Sequence, residues 1–338
     1  DGEGYLRVKF LEDEVIELFD ANAFPIIGFN RPSISFLINI DDGSTQPEFL
    51  GIDGEDTELK TNLSNLLQNL TETRGTGGAG SSRTRGIWCG GDINPSPNKT
   101  SNTVDFVTIE TTGNATDFGD LTQKGGHGNA VMSNQTRICC AGRNSQPGVQ
   151  NIIDFATIAT TGNFIDFGDI STAIYGVAGA SNGVRGIISH GDLGPTYDLT
   201  MRYITIPTTG NSEDFGEASV NVSGPGALSS STRCLIGSGS GPSGSYHNTI
   251  DTITIATLGN AVKFGENDFS NPHRFPGTAS DCVRGVFAGG YGPAPSYAVQ
   301  TKMDYVNIST EGNAVDFGDL SAGAAQHSGC SNGHGGLG

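Results

Sequence analysis

The sequence predicts an all-β protein in which tandem repeats of about fifty residues form a β-propeller. Composition is the first observation behind this prediction. Gly makes up 51 of the 338 residues and charged residues only 16%, which is typical of many short strands joined by tight turns. The second observation is a set of three motifs that recur in register five times within residues 76–338.

The repeat is defined by a Gly-Asn pair that is followed, four residues after its Asn, by Phe-Gly. Successive Gly-Asn pairs are 49, 48, 49 and 53 residues apart. The phenylalanines, which we expect to point into the core, are Phe118, Phe167, Phe215, Phe264 and Phe317. An arginine recurs at spacings of 52, 48, 48 and 51 residues, as Arg85, Arg137, Arg185, Arg233 and Arg284. Because three motifs stay in register over five copies, the repeat is a structural unit.

Each repeat contains about four strands, which is the content of one propeller blade. VDFVTI at 104–109 is short, β-branched and alternating, a pattern that predicts a strand. The Thr-Thr-Gly-Asn that follows supplies the positive φ of a tight hairpin turn, and NATDFGD is the return strand. A Gly-, Ala- and Ser-rich stretch then leads into a strand such as RGIWCGG, whose small residues suit the crowded axis of a propeller.

Five complete repeats span Arg85 to Leu320, so we expect five blades. The stretch SAGAAQHSGCSNGHGGLG after Leu320 echoes the start of a repeat but has Gly335 where the arginine is expected. It either closes the ring on the first blade or starts a sixth blade. A stacked β-solenoid is the alternative architecture, although units of four strands are long for one coil.

Two features of the repeat carry a resemblance to known families. The period near fifty and the pairs Gly90-Gly91 and Gly289-Gly290 resemble kelch repeats, although Trp88 is the only tryptophan. The phrase TIxTTGNAxDFGDL, which covers about residues 85–331, is similar to repeats in structural proteins of marine bacteriophages, including tail-fibre-type proteins. The resemblance implies a kelch-like β-propeller in a virion protein, hence an extracellular location in the virion and a role in host-surface attachment.

Residues 1–75 lack the repeat and predict a small α+β domain. YLRVKF and SISFLINI indicate strands. Between Thr57 and Glu72, leucines follow the spacing of an amphipathic helix, at Leu59, Leu63, Leu66, Leu67 and Leu70. We expect this domain to serve attachment to other virion proteins, with the leucines packed inside it or against identical chains in a homo-oligomer.

Charge and hydropathy exclude two kinds of partner. The formal net charge is −18, and such a surface repels the phosphates of nucleic acids. No apolar stretch approaches the roughly twenty residues of a membrane-spanning helix, so we expect no membrane insertion. The six cysteines fit no zinc template and are best interpreted as small buried hydrophobic residues.

Acidic residues recur in every repeat. Asp117 and Asp120 form an i, i+3 pair that returns in later repeats, whereas Lys263 replaces the first acid in the fourth. Calcium binding and glycosidase chemistry are alternative interpretations, but a catalytic pair occurs once per enzyme, so we expect a structural role, no catalytic residue and no cofactor. We expect the repeated arginine to contact an aspartate of its own or a neighbouring blade, drawn from Asp105, Asp154, Asp251 and Asp304.

The segments that join the second strand of a repeat to the third agree in length but share little sequence. Variable loops on a constant frame form the binding face of many propellers. Aromatic side chains in these loops can stack on a host-surface glycan or on protein side chains. The candidate ligand-binding residues are Tyr197, Tyr246, His247, Tyr291 and Tyr297.

Three function classes follow from these observations. The first is a phage fibre or appendage protein that displays a binding propeller. The second is a secreted or cellular carbohydrate-binding, lectin-like propeller. The third is a glycan-processing enzyme, which would need a unique cluster of carboxylates in the central channel. The fold alone does not choose among them.

Overall fold

The structure is a computed structural model of the chain, which divides into two compact units, Asp1–Arg74 and Gly75–Gly338. It describes residues 5–9, 15–19, 25–30, 35–39, 48–53, 80–81, 84–92, 100–126, 128–145, 148–268, 273–293 and 298–326. The predicted leucine-rich helix and Tyr297 lie outside these ranges. No helical segment within them has the length and apolar character of a membrane span.

The described residues of the N-terminal unit form five short strands. A three-stranded antiparallel sheet has the order β1-β4-β5, and β2 and β3 form a separate antiparallel pair. The predicted strands YLRVKF and SISFLINI correspond to β1 and β4. The strand bounds are Tyr5–Lys9 for β1, Val15–Phe19 for β2, Pro25–Asn30 for β3, Ser35–Asn39 for β4 and Glu48–Asp53 for β5.

The second unit contains five four-stranded antiparallel sheets in a propeller arrangement, which confirms the predicted fold and number of complete blades. Within each blade the strands pair in chain order. Blade 1 comprises β6 (Gly80–Ser81), β7 (Arg85–Asp92), β8 (Thr100–Thr108) and β9 (Thr116–Gly125); blade 2 comprises β10 (Ala130–Ser133), β11 (Arg137–Ser145), β12 (Gly148–Thr157) and β13 (Ile165–Asp169). Blade 3 comprises β14 (Gly179–Ser181), β15 (Arg185–Ile188), β16 (Thr200–Thr205) and β17 (Glu213–Glu217); blade 4 comprises β18 (Gly226–Ser229), β19 (Arg233–Gly237), β20 (Thr249–Thr254) and β21 (Val262–Glu266); blade 5 comprises β22 (Gly277–Ser280), β23 (Arg284–Ala288), β24 (Gln300–Asn307) and β25 (Val315–Ala324).

The first strands of successive blades lie side by side. Ser181 Oγ donates to the carbonyl of Ser133 at 2.8 Å, Ser229 Oγ donates to that of Ser181 at 2.8 Å, and Ser280 Oγ donates to that of Ser229 at 2.9 Å. Each serine therefore bonds to the preceding blade. The small side chains of these first strands allow the close packing. The strand RGIWCGG, whose small residues we expected near the axis, is the second strand of its blade.

The hydrophobic core lies between blades. One buried cluster joins Ile87 and Phe118 of blade 1 to Ile138, Ile158 and Phe164 of blade 2. The repeated phenylalanine also meets an aromatic ring of its own third strand edge-on, as Phe167 meets Phe155 with ring centroids 5.7 Å apart. The apolar residues of the alternating pattern therefore pack at the junction between neighbouring blades.

The Gly-Asn pair has a role that the sequence did not indicate. The turn after the third strand is made by threonines, with the Thr160 N–H donating to the Thr157 carbonyl at 3.3 Å. Gly162, at φ 152°, reaches the preceding blade instead, and its N–H donates to the Phe118 carbonyl at 2.7 Å. A Cβ on Gly119 would lie 2.5 Å from the Gly162 carbonyl. Glycine is required at this position because the blades approach so closely.

Candidate functional site

The repeated arginine links neighbouring blades. Arg137 stacks over the Phe155 ring, with its guanidinium carbon 4.7 Å from the ring centroid, and its Nη1 donates to the Ile206 carbonyl of blade 3 at 3.1 Å. The partner is thus a main-chain carbonyl rather than the aspartate that we expected. Arg284 stacks over Tyr305 at 4.6 Å. The equivalent hydrogen bonds are Arg85 to Ile158 at 2.7 Å, Arg185 to Ile255 at 2.9 Å and Arg233 to Ile308 at 3.3 Å.

The repeated aspartate also bonds across a blade junction. Asp251 accepts hydrogen bonds from the Ser219 N–H at 2.7 Å and the Ser219 hydroxyl at 2.6 Å. Asp154 is buried and pairs with the buried Arg143 at 2.7 Å, while Thr122 donates to it from blade 1 at 2.6 Å. These carboxylates serve packing between blades.

Asp304, the equivalent aspartate of blade 5, departs from the pattern of Asp154 and Asp251. At its junction Asp268 occupies the position of the hydroxyl-bearing residue, which is Thr122 or Ser219 at the other two. Burial raises the pKa of Asp304 to about 6, and the charge of Asp268 adds to the rise. Acids of the i, i+3 pairs bond within their own blade, as when Asp117 Oδ1 accepts the Gly119 N–H at 3.1 Å and Asp319 Oδ1 accepts the Thr301 hydroxyl at 2.8 Å. The described ranges contain no group of three His, Cys, Asp or Glu residues that could hold a metal ion.

A rim is formed at one end of blades 3, 4 and 5. Three segments meet there in each blade: the lead-in to the first strand, the end of the second strand and the loop before the third. They are joined by isolated antiparallel bridges. The bridges run Tyr175–Asp192–Tyr197 in blade 3, Ser223–Ser240–Tyr246 in blade 4 and Arg274–Tyr291–Val299 in blade 5. The rim therefore presents aromatic and charged side chains from three blades.

Blade 3 contributes a carboxylate between two phenols. Burial and a hydrogen bond with Asp192 raise the pKa of Tyr175 to about 12. Burial and the charge of Asp192 also raise the pKa of Tyr197, whereas the positive charge of Arg274 lowers it. Asp192 Oδ1 accepts the Gly194 N–H at 2.7 Å, which holds the carboxylate in place. Both phenols remain neutral at physiological pH and can donate hydrogen bonds.

Blade 5 contributes a cation that stacks against two aromatic rings. The guanidinium carbon of Arg274 lies 5.7 Å from the Phe275 ring centroid and 5.8 Å from the Tyr291 ring centroid. The Tyr291 hydroxyl donates to Gln326 Oε1 at 3.3 Å. This arrangement holds a positive charge against two aromatic faces.

Phe275 stands where the preceding blades have glycines. Gly128, Gly176 and Gly224 have φ values of 78°, 62° and 67°, and Phe275 has φ 55°, a conformation that is rare for a bulky residue. A Cβ on Gly224 would lie 2.9 Å from the Phe275 ring, and one on Gly128 would lie 3.4 Å from it. The Phe275 ring of blade 5 therefore lies close to both blade 4 and blade 2.

The structure brings together most of the predicted ligand-binding residues. Tyr197 and Tyr291 belong to the blade 3 and blade 5 parts of the rim, with Tyr246 and His247 in blade 4 between them; all four are half-buried. His247 Nε2 lies 3.4 Å from Ser245 Oγ. These residues lie in equivalent segments of three successive blades, and their role in ligand binding stays a prediction.

Three rim residues escaped the sequence analysis: Tyr175, Asp192 and Arg274. Tyr175 and Arg274 lie in the Gly-rich lead-ins, which appear in the sequence as spacers between strands. The sequence did hold a signal for them. Tyr175 directly precedes Gly176 in blade 3, and Arg274 directly precedes Phe275, which occupies the equivalent position in blade 5.

Comparison with known proteins identifies the fold. The sequence matches no protein-family model and no curated protein. Solved structures do match, in 419 chains, and a fold shared so widely does not select a function. One of them, described as the structure of YjhT, has a TM-score of 0.60 and 11% identity over 75% of this chain and 86% of that chain. The likeness shows that the chain is a β-propeller.

Proposed function

We propose that the protein is a bacteriophage virion component, of the fibre or appendage type, whose kelch-like propeller binds a host-surface glycan through the rim of blades 3 to 5. The observation that carries this proposal is the convergence of Tyr175, Asp192, Tyr197, Arg274 and Tyr291 on one face of a regular frame. The protein acts by binding and performs no catalysis.

The chemistry of the rim suits a polar ligand with apolar faces. Tyr197 and Tyr291 offer partly exposed rings for stacking on a sugar. Asp192 can accept hydrogen bonds from sugar hydroxyls. Arg274 can donate to an oxygen of the ligand, with a guanidinium geometry that favours carboxylate or phosphate groups. A glycan bearing an acidic group meets all three requirements.

The virion assignment is supported by the sequence. The repeat phrase is similar to repeats in structural proteins of marine phages, and the net charge of −18 opposes a role on nucleic acid. We assign attachment to other virion proteins to the N-terminal unit. The second candidate is a secreted or cellular lectin-like propeller, which the same rim would serve; detection of the chain in purified virions distinguishes the two.

The test is a glycan-array and whole-cell binding assay with the full chain. We expect selective binding, and we expect Tyr197→Ala and Tyr291→Ala each to weaken it about fivefold or more, because a stacked ring contributes roughly 1 kcal/mol or more. Ile165→Ala is the matched control, since Ile165 is an exposed apolar residue on a fourth strand. Binding that all three variants retain would refute the rim as the binding face, and release of cleaved sugar would refute a purely binding role.

A further inference from the structure

Two cysteines face each other across the junction between blade 1 and blade 2. Cys89 lies on β7 and Cys140 on β11, and their two thiols form a hydrogen bond with each other. Cys140 is completely buried in the hydrophobic cluster of this junction, and Cys89 packs against that cluster. Thiol groups from two different blades therefore meet inside one packed interface.

The register of the repeat brings these two positions together. Cys89 follows the repeated arginine of its blade by four residues, and Cys140 follows that of its own blade by three. At the junction of blades 4 and 5 the same two positions are Gly237 and Phe287, and a Cβ on Gly237 would lie 3.2 Å from the Phe287 ring. The frame of the propeller thus places the two positions in contact.

Cys140 departs from the residue type of its position. The equivalent residue is large and apolar in the other four blades, as Trp88, Ile188, Ile236 and Phe287. The position of Cys89 holds small residues elsewhere, namely Ala141, Ser189, Gly237 and Ala288. Phe287 therefore fills the space beside Gly237, whereas at the first junction both positions hold cysteine. A disulfide bond between the two sulfurs would fill the corresponding space.

A buried ion pair lies directly beside Cys140. Arg143 Nη2 donates to Asp154 at 2.7 Å and to the Cys140 carbonyl at 3.4 Å. The hydrogen bond from Cys89 and the positive charge of Arg143 lower the pKa of Cys140, while burial acts against both. The hydrogen bond with Cys140 and burial raise the pKa of Cys89. Cys140 is therefore the first of the two thiols to lose its proton and become a nucleophile.

We propose that Cys89 and Cys140 are a redox-active pair, which a low-molecular-weight disulfide such as oxidised glutathione converts into a disulfide bond between blade 1 and blade 2. In the first exchange, the sulfur of the partly exposed Cys89 bonds to one sulfur of the oxidant, and its proton leaves with the other sulfur as a free thiol. The Cys140 thiolate then attacks the Cys89 sulfur, and the second half of the oxidant leaves with the Cys140 proton. Two protein thiols are oxidised, and the oxidant is reduced to two thiols.

The bond would make the first junction covalent. A disulfide between residues 89 and 140 closes a loop of the chain and so restricts the unfolded state, which adds to stability. Oxidising surroundings outside cells favour the bond, whereas a reducing cytosol favours two thiols. The first junction is therefore strengthened when the surroundings become oxidising. This inference does not depend on the ligand bound at the rim.

Peptide mapping by mass spectrometry tests for the bond. The full chain is incubated with dithiothreitol or with oxidised glutathione, its remaining thiols are alkylated in denaturant, and it is digested without reduction. We expect a linked peptide pair that contains Cys89 and Cys140 after oxidation, and both cysteines alkylated after reduction. Cysteines that are alkylated, still carry glutathione or are bonded to another cysteine after oxidation would overturn the proposal.

Thermal unfolding tests the effect of the bond on the junction. We expect oxidation to raise the unfolding midpoint of the wild type by about 5 °C or more, because a disulfide that closes a long loop is strongly stabilising. Cys89→Ala should unfold at the same midpoint after oxidation and after reduction. A cross-linked wild type with an unchanged midpoint would overturn the proposal.

Cys139→Ala is the matched control. Cys139 is adjacent to Cys140 in sequence but packs in the cluster that blade 2 shares with blade 3, so this variant should keep both the bond and the shift in midpoint. Loss of either in Cys139→Ala would contradict the assigned pair. Cys89→Ala should fold, since alanine occupies the same position in blades 2 and 5. If it does not, Cys89→Ser takes its place, since Ser189 occupies that position in blade 3.

Discussion

Phe167 and Phe317 occupy equivalent positions in blades 2 and 5 but have different surroundings. Each ring meets its own third strand edge-on, with centroid distances of 5.7 Å to Phe155 and 6.0 Å to Tyr305. Phe167 is buried under blade 3, whereas Phe317 is half-exposed. We therefore expect the phenylalanine to contribute less to stability at position 317 than at position 167.

Truncation of these two side chains measures that difference. We expect Phe167→Ala to lower the free energy of unfolding by about 3–5 kcal/mol, as for other buried phenylalanines, and Phe317→Ala to lower it by about 1 kcal/mol or less. Urea unfolding checks both values. Equal losses would contradict the link between the burial of each ring and its contribution to stability.

The contacts between neighbouring blades determine this fold as much as the strands within each blade do. The strands were predictable because alternating β-branched runs such as VDFVTI specify a strand whatever its neighbours. The partners of the arginines were not, because Arg137 bonds to Ile206, 69 residues away, and no local pattern encodes which groups of two blades meet. The rim tyrosines were found from loop variability, while Arg274 was missed because its role comes from stacking on Phe275 and Tyr291.

The arginine column provides a test of a junction. Arg137→Met keeps an apolar stem but removes the hydrogen bond to Ile206 and the stacked cation, so we expect a loss of about 1–3 kcal/mol in the free energy of unfolding. Arg284→Met removes the stacking over Tyr305, which is the contact of this side chain among the described residues and for which we expect about 1 kcal/mol or less. Thermal or urea unfolding of the pair checks this. A larger loss for Arg284→Met would contradict the account of the junction.

The whole molecule carries buried titratable groups that set its response to acid. Burial lowers the pKa of both His190 and His273 to about 4, below the ordinary value of about 6.5. The unfolded chain therefore binds more protons than the folded one between these values, so the contribution of both histidines is complete above pH 6.5 and is lost as pH falls toward 4. Asp304 acts in the opposite sense, because its raised pKa of about 6 makes its carboxylate costly above that pH.

We expect the thermal unfolding midpoint to fall steadily from pH 6.5 to pH 4. His190→Leu, which removes the proton-binding group at similar volume, should reduce the slope of this fall while leaving the midpoint at pH 7 within a few degrees. Calorimetry across the range provides the measurement. An identical slope in the wild type and the variant would exclude His190 as a source of acid lability.

Phe275 has a consequence for how a ligand is oriented. Five similar blades around an axis offer nearly equivalent binding positions. A ligand lying over the centre of such a ring would therefore have several orientations of similar energy. The Phe275 ring, which stands in place of a glycine and has Arg274 beside it, makes one of these positions unlike the others. We therefore expect the glycan proposed as ligand to bind in one orientation about the propeller axis, so that an asymmetric sugar chain leaves the propeller in a fixed direction.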